Sequence, residues 1–248
     1  MRNVILLFLI LLFCFECTAF AEGITIDLGI DSHKDGSTVF TSKIIQLIGI
    51  LTILSLAPSI LIMVTSFTRI AIVLSFVRSA LGLQQTPPNI VLISLALFLT
   101  FFIMAPTFTK SYEDGLLPLM NNSIGEEQAL ASIAKPFHSF MLQNTGNKER
   151  QLFLDIAKLD NVSNDEIPFH VLIPAFMISE LKRAFEIGFL IFLPFLIIDM
   201  LIASVLMAMG MMMVPPAMIA LPFKLVFFVL IDGWYMICGS IIKSYGIG

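Results

Sequence analysis

From residue 187 to residue 223 a single ionisable side chain, Asp199, interrupts an otherwise uncharged, apolar run. One straight helix over that run would be far longer than the roughly 30 Å hydrocarbon thickness of a bilayer, at about 1.5 Å per residue. The chain therefore has to fold back on itself. Pro216 marks the place, because proline cannot continue the hydrogen-bond ladder of a preceding helix. The run predicts two apolar helices joined by a turn over residues 210–216, a membrane hairpin. Turns of such hairpins ordinarily carry polar or charged residues that keep them in water. This one carries Met207, Met209, Met211, Met212 and Met213 around Gly210, and no charge at all. A flexible, polarizable apolar turn implies contact with something other than water.

Composition extends the argument to the whole chain. It is 58% hydrophobic and 13% charged with a mean hydropathy of +0.96, where a soluble domain has about 25% charged residues. This is the composition of an integral membrane protein, whose 248 residues share their apolar surface with lipid or with partner chains. The net charge of −4 and the lack of a basic tail exclude nucleic acid as a partner. Cys14 and Cys17 form a C-x-x-C pair, but they sit within or just after an apolar core that follows Arg2 and precedes the small residues Ala19 and Ala21. That arrangement reads as a secretory signal peptide over residues 1–21, cleaved between Ala21 and Glu22. Cys238 then stands alone in the mature chain, which leaves no internal disulfide.

Taken in order, residues 22–43 read as a short periplasmic segment and residues 44–109 as a first membrane hairpin. Its helices are expected over 44–64 and 90–106, the second opened by Pro87 and Pro88. Between them Phe67, Ile70, Val73, Leu74, Val77 and Leu81 recur at helical spacing until Gly82 stops the pattern. Arg69 and Arg78 lie in this connection without a neighbouring acid, which assigns it to the cytoplasm. Residues 110–174 hold most of the charges and predict a small extracytoplasmic helical region, with two helices separated at residues 144–146. Residues 175–248 form the second hairpin. Its first helix begins amphipathic, with Ile178, Leu181 and Phe185 on one face and Glu180, Lys182 and Arg183 elsewhere; its second runs from 217 to about 242. Four hydrophobic helices after a cleaved signal place both ends outside.

No nucleophile elbow, phosphate-binding loop or zinc-protease motif occurs, and His33, His138 and His170 have no ligand-spaced neighbours. Neither an enzyme nor a cofactor or metal site is expected. The polar groups that need an explanation are Asp199, Lys224 and Asp232, each inside an apolar run where an unpaired charge costs about 2.5–3.5 kcal/mol. Folding about the turn puts Asp199 about 16 Å and Lys224 about 12 Å from it, at nearly one depth. A register pair is one reading and a proton or ion path the other. Asp232 lies about 12 Å beyond Lys224 along the helix and needs a different partner.

Seven blocks together resemble one family: PSILIMVTSFTRI at 58–70, ALGLQQTPPN at 80–89, LFLTFFIM at 97–104, SELK at 179–182, IGFLIFLPF at 187–195, MGMMM at 209–213 and LIDGW at 230–234. In this order and spacing they are similar to the FliP family of flagellar type III export-gate proteins, with related subunits in virulence secretion systems. The resemblance implies a non-enzymatic, pore-forming subunit in the bacterial inner membrane at the flagellar basal body. It implies a homo-oligomeric ring, pentameric in the family, with FliQ, FliR, FlhB and FlhA as partners and unfolded flagellar proteins as the substrates passed. The methionine turn maps onto the ring that closes the path. A virulence export-gate subunit and a proton or ion transporter are the alternatives.

Overall fold

The computed structural model describes residues 47–246, apart from 50, 53, 54, 57, 58, 61, 84, 160–162, 164, 165 and 212. The expected signal peptide with its cleavage point at Ala21 and Glu22, and the expected periplasmic segment 22–43, lie outside the described residues. The chain divides into two compact units, residues 1–52 and 53–248. Of the first, residues 47–49, 51 and 52 are helical, with the Thr52 hydroxyl donating to the Ile48 carbonyl at 2.8 Å. Of the expected helix over 44–64, residues 55, 56, 59, 60, 62 and 63 of the second unit are helical as well.

Among the described residues the second unit is built from helices alone, without a strand. They are α1 (Phe67–Ala80), α2 (Asn89–Ser111), a π turn (Tyr112–Leu116), α3 (Leu117–Met120), α4 (Glu126–Asn144), α5 (Asn147–Ile156), α6 (Phe169–Ala208), α7 (Pro216–Leu230) and α8 (Gly233–Lys243). Among the described residues two helical runs are long and apolar enough to cross a membrane, Asn89–Met120 and Phe169–Ala208, and a third if the bent pair α7 and α8 is one span.

The centre is α1, and its sequence pattern explains why. Ile70, Val73, Leu74 and Val77 are fully buried against α2, α6 and α7, and Leu81 nearly so. The helix ends in a Schellman motif, with Gly82 N–H on the Ser79 carbonyl and Leu83 N–H on the Arg78 carbonyl, which needs the left-handed φ of +76° that Gly82 supplies. Along α6 it runs in the same direction, Arg69 meeting Glu180 and Phe76 meeting Phe185 edge-on at 5.2 Å. Gly188 permits this approach, since a Cβ there would stand 2.5 Å from the Phe76 ring.

The second helix differs from its expected end at Pro106. It continues through Pro106 and Ser111 into the π turn and α3, a run of 32 residues. Proline removes one ladder hydrogen bond, which a long helix packed on neighbours absorbs. The wide π turn brings Gly115 against α4, where a Cβ would lie 2.9 Å from the Ile133 backbone nitrogen. As the sequence predicts, α4 and α5 are separated at Thr145 and Gly146. These helices pack on α6. The Gly146 N–H donates to Ser179 Oγ at 2.9 Å and Lys182 pairs with Glu149 at 2.9 Å. The Lys182 ammonium holds the Glu149 carboxyl below the usual carboxylate range.

Helix α6 sets the orientation of its amphipathic start. Ile178, Leu181 and Phe185 are exposed, while Ser179, Glu180 and Ala184 are buried. Glu180 and Ser179 turn inward because they find hydrogen-bond partners there, Lys182 stays exposed beside Glu149, and Ile178, Leu181 and Phe185 are left for lipid or other chains. The rest of α6 follows suit: only 11% of its most apolar 18-residue stretch is buried within the chain.

The last expected helix is not continuous. It breaks between α7 and α8 with a bend of 63°. Asp232 takes a left-handed φ of +50° at the break, and its N–H closes the end of α7 on the Val229 carbonyl. Aspartate tolerates this region better than most side chains. Gly233 lets the Phe228 ring fold over the bend, where a Cβ would lie 2.2 Å from it, and Trp234 packs edge-on to that ring at 5.4 Å.

Candidate functional site

The methionine turn closes α6 by the same capping geometry as Gly82. Gly210 N–H bonds the Met207 carbonyl at 3.1 Å and Met211 N–H bonds the Leu206 carbonyl at 3.0 Å, with Gly210 at φ +74°. Pro215 precedes and Pro216 opens α7. This geometry ends the helix sharply and leaves the side chains facing outward: Met207, Met209 and Met211 are exposed and Met213 is 98% exposed. Met212 lies outside the described residues. The turn is thus an apolar, uncharged tip whose described methionines are exposed in this chain.

Lys224 and Asp199 meet across the hairpin, Nζ to Oδ2 at 2.6 Å. The lysine side chain is 7% exposed and the aspartate 35%. A third group, absent from the sequence reading, completes the contact. Lys224 Nζ also donates to the Ala80 carbonyl at 3.2 Å. Ala80 is the last residue of α1, so the ammonium sits on one of the unsatisfied carbonyls at the negative end of a helix. Lys224 therefore joins α1, α6 and α7 at one point. Asp232 takes no part in this contact: it is exposed at the bend between α7 and α8.

Replacing either member of this pair is expected to reduce the amount of assembled protein, with Lys224→Ala worse than Asp199→Ala because it also uncaps α1. The lost hydrogen bonds correspond to about 1–3 kcal/mol. The double change should cost less than the two singles summed, since no lone charge then remains. Quantitative immunoblotting of membrane complexes on native gels checks this, and strict additivity would refute the coupling.

Arg69, expected as a basic residue on the cytoplasmic side, is tied into the interior of the helix cluster. It is fully buried, its guanidinium paired with Glu180 through Nε to Oε2 at 3.0 Å and through Nη2 to Oε1. Its Nη1 donates to Ser244 Oγ at 2.9 Å, and its centre lies 3.8 Å from the Tyr245 ring centroid. The Tyr245 hydroxyl donates to the same Glu180 carboxylate, and burial followed by that negative neighbour pushes the phenol well above its usual range. Arg78 is half-buried and donates to Asn89 Oδ1, which stitches the end of α1 to the start of α2. Glu180, Ser244 and Tyr245 were not singled out from sequence. A glutamate on a helix otherwise feeding an apolar span was the signal available.

Polar links thus clamp α1 at both ends, Arg69 to Glu180 and the Ala80 carbonyl to Lys224, with an apolar stripe between them. The helices so clamped carry the methionine turn. The FliP family model matches residues 50–241, which contain α1 to α7, the turn and nearly all of α8. The chain belongs to the FliP family. Among relatives, "Flagellar biosynthetic protein FliP" of Rhizobium meliloti is 48% identical over 241 residues, covering 96% of this chain and 97% of the relative. The protein of the same name from Bacillus subtilis is 53% identical over 219 residues, covering 88% and 98%. That of Agrobacterium fabrum is 51% identical over 218 residues, covering 87% and 88%. In this FliP-family chain the match encloses both clamps and the turn.

Proposed function

We propose that this chain is a pore-forming subunit of the flagellar type III export gate in the bacterial inner membrane, passing unfolded flagellar proteins through a ring of identical copies. Family membership supports the flagellar assignment. The observation that carries the pore reading is the turn itself: a sharp apolar tip with Met213 98% exposed, between helices whose outer faces are apolar as well. Such a tip has no favourable place in water. In a ring it meets its counterparts, where methionines fill an irregular opening and yield to a passing chain. A pentamer joined by FliQ and FliR, near FlhB and FlhA, is the assembly this reading requires.

The proton or ion path has less support. Lys224 is held by Asp199 Oδ2 and the Ala80 carbonyl, Asp199 Oδ1 is buried without a hydrogen-bond partner among the described residues, and Asp232 lies apart at the bend.

A photo-crosslinking residue at Met213 tests the pore reading in cells carrying an export substrate fused to a tightly folded domain that stalls in transit. Crosslinks from Met213 to the stalled substrate are expected. Crosslinks only to lipid, with export of the unfused substrate intact, would overturn it.

A further inference from the structure

We propose that Ser244 and Tyr245 form a latch that holds α8 against α1 and α6, and that α8 is a limb that swings about the bend at Asp232 when the latch opens.

The anchoring of α8 is uneven. Its outer side is open, with Tyr235 82% and Met236 58% exposed. Inward it contributes Ile237 and Ile241 to the apolar cluster around α1 and α2. The polar anchors all lie at its far end. Arg69 Nη1 donates to Ser244 Oγ at 2.9 Å and to the Ser244 carbonyl at 3.3 Å. Tyr245 lies under the Arg69 guanidinium, donates to Glu180, and stacks on Phe140 of α4 at 5.9 Å between centroids. Two residues therefore touch groups from three helices.

Two features make this a latch rather than part of the core. Arg69 and Glu180 remain paired through Nε and Nη2 without it, so α1 and α6 stay joined when it opens. At the other end α8 hangs from the 63° break at Asp232, while α7 before it is fixed by Lys224. Once the cluster lets go, the bend and the two buried isoleucines Ile237 and Ile241 still hold the helix, while its hold on α1 and α2 is weakened. Its departure uncovers the apolar surface formed by Leu92, Ala96 and Ile103 of α2, which belong to the same cluster.

The half-buried Cys238 on α8 is a native reporter. N-ethylmaleimide labelling of the detergent-extracted full chain, with the label located by peptide mass spectrometry, reads how often α8 leaves its seat. Tyr245→Ala should speed labelling of Cys238 at least tenfold. Tyr245→Phe keeps the ring over Arg69 and on Phe140 but loses the hydroxyl, and should give an intermediate rate. A cysteine placed at the fully buried Ala184, between α1 and α6, should stay slow in both backgrounds. Unchanged labelling of Cys238 in Tyr245→Ala would overturn the latch. So would equal acceleration at position 184, which marks general unfolding. Neither outcome bears on the pore reading, since no step of the assay depends on export.

Discussion

Arg69→Ala should nearly abolish accumulation of the folded protein, the largest stability effect expected of any single change in this chain. The substitution leaves the Glu180 carboxylate fully buried with the Tyr245 hydroxyl as its one remaining hydrogen-bond partner among the described residues. Removing one partner of a buried ion pair costs about 3–5 kcal/mol, a large part of the stability of an ordinary domain. Most of that cost comes from the charge left behind, which gives the prediction its distinctive form. Replacing both residues by apolar ones of similar length, Arg69→Met with Glu180→Met, should restore much of the lost protein. Arg69→Lys should fall between, because an ammonium cannot reproduce the paired contacts of the guanidinium or lie flat on the Tyr245 ring. Steady-state membrane levels and limited proteolysis of the three variants check the series. A double variant as poor as Arg69→Ala would show that the pair does more than satisfy itself.

The elements legible in the sequence are those whose information is local. The stripe Ile70, Val73, Leu74, Val77 marks a helix face by spacing alone, and Gly82 and Gly210 mark helix ends because the cap needs a left-handed residue. Depth counting brings Asp199 to Lys224 because a hairpin about a known turn leaves one free parameter, its register. The Arg69–Glu180 contact joins residues 111 apart in sequence, and no local period encodes it. It also separates Glu180 from the other charges of α6: Glu180 turns in to Arg69, while Lys182 stays exposed beside Glu149 and Ile178, Leu181 and Phe185 turn out. The bend at Asp232 had a local signal, since an Asp-Gly pair favours turns, but the apolar residues on either side hid it within an apparent span. Pro106 misled in the opposite direction, marking an end where α2 continues.

Replacing Met209, Met211, Met212 and Met213 together by alanine is expected to leave insertion and oligomer formation intact while making the membrane leaky. Insertion should survive because the described methionines of the turn contribute nothing to this chain's buried core; Met209, Met211 and Met213 are all exposed. The capping bonds of Gly210 and Met211 are backbone bonds, so they tolerate alanine side chains. Sealing is another matter. An export path must admit unfolded chains of varied side chains and still hold back ions when idle. A rigid collar satisfies only one of those demands. Long, unbranched and polarizable side chains pack into a gap of changing shape, and an apolar constriction resists wetting, which stops ions without a charged plug. Alanine is too short to meet its neighbours across the opening. Growth should slow only when the variant is expressed, and efflux of a small cation from intact cells should rise severalfold over the parent chain at equal membrane level. If the methionines instead form packing contacts essential to assembly, the variant will fail to form the ring and show no leak. A fully assembled variant with parental ion permeability would remove the seal from the account of this turn.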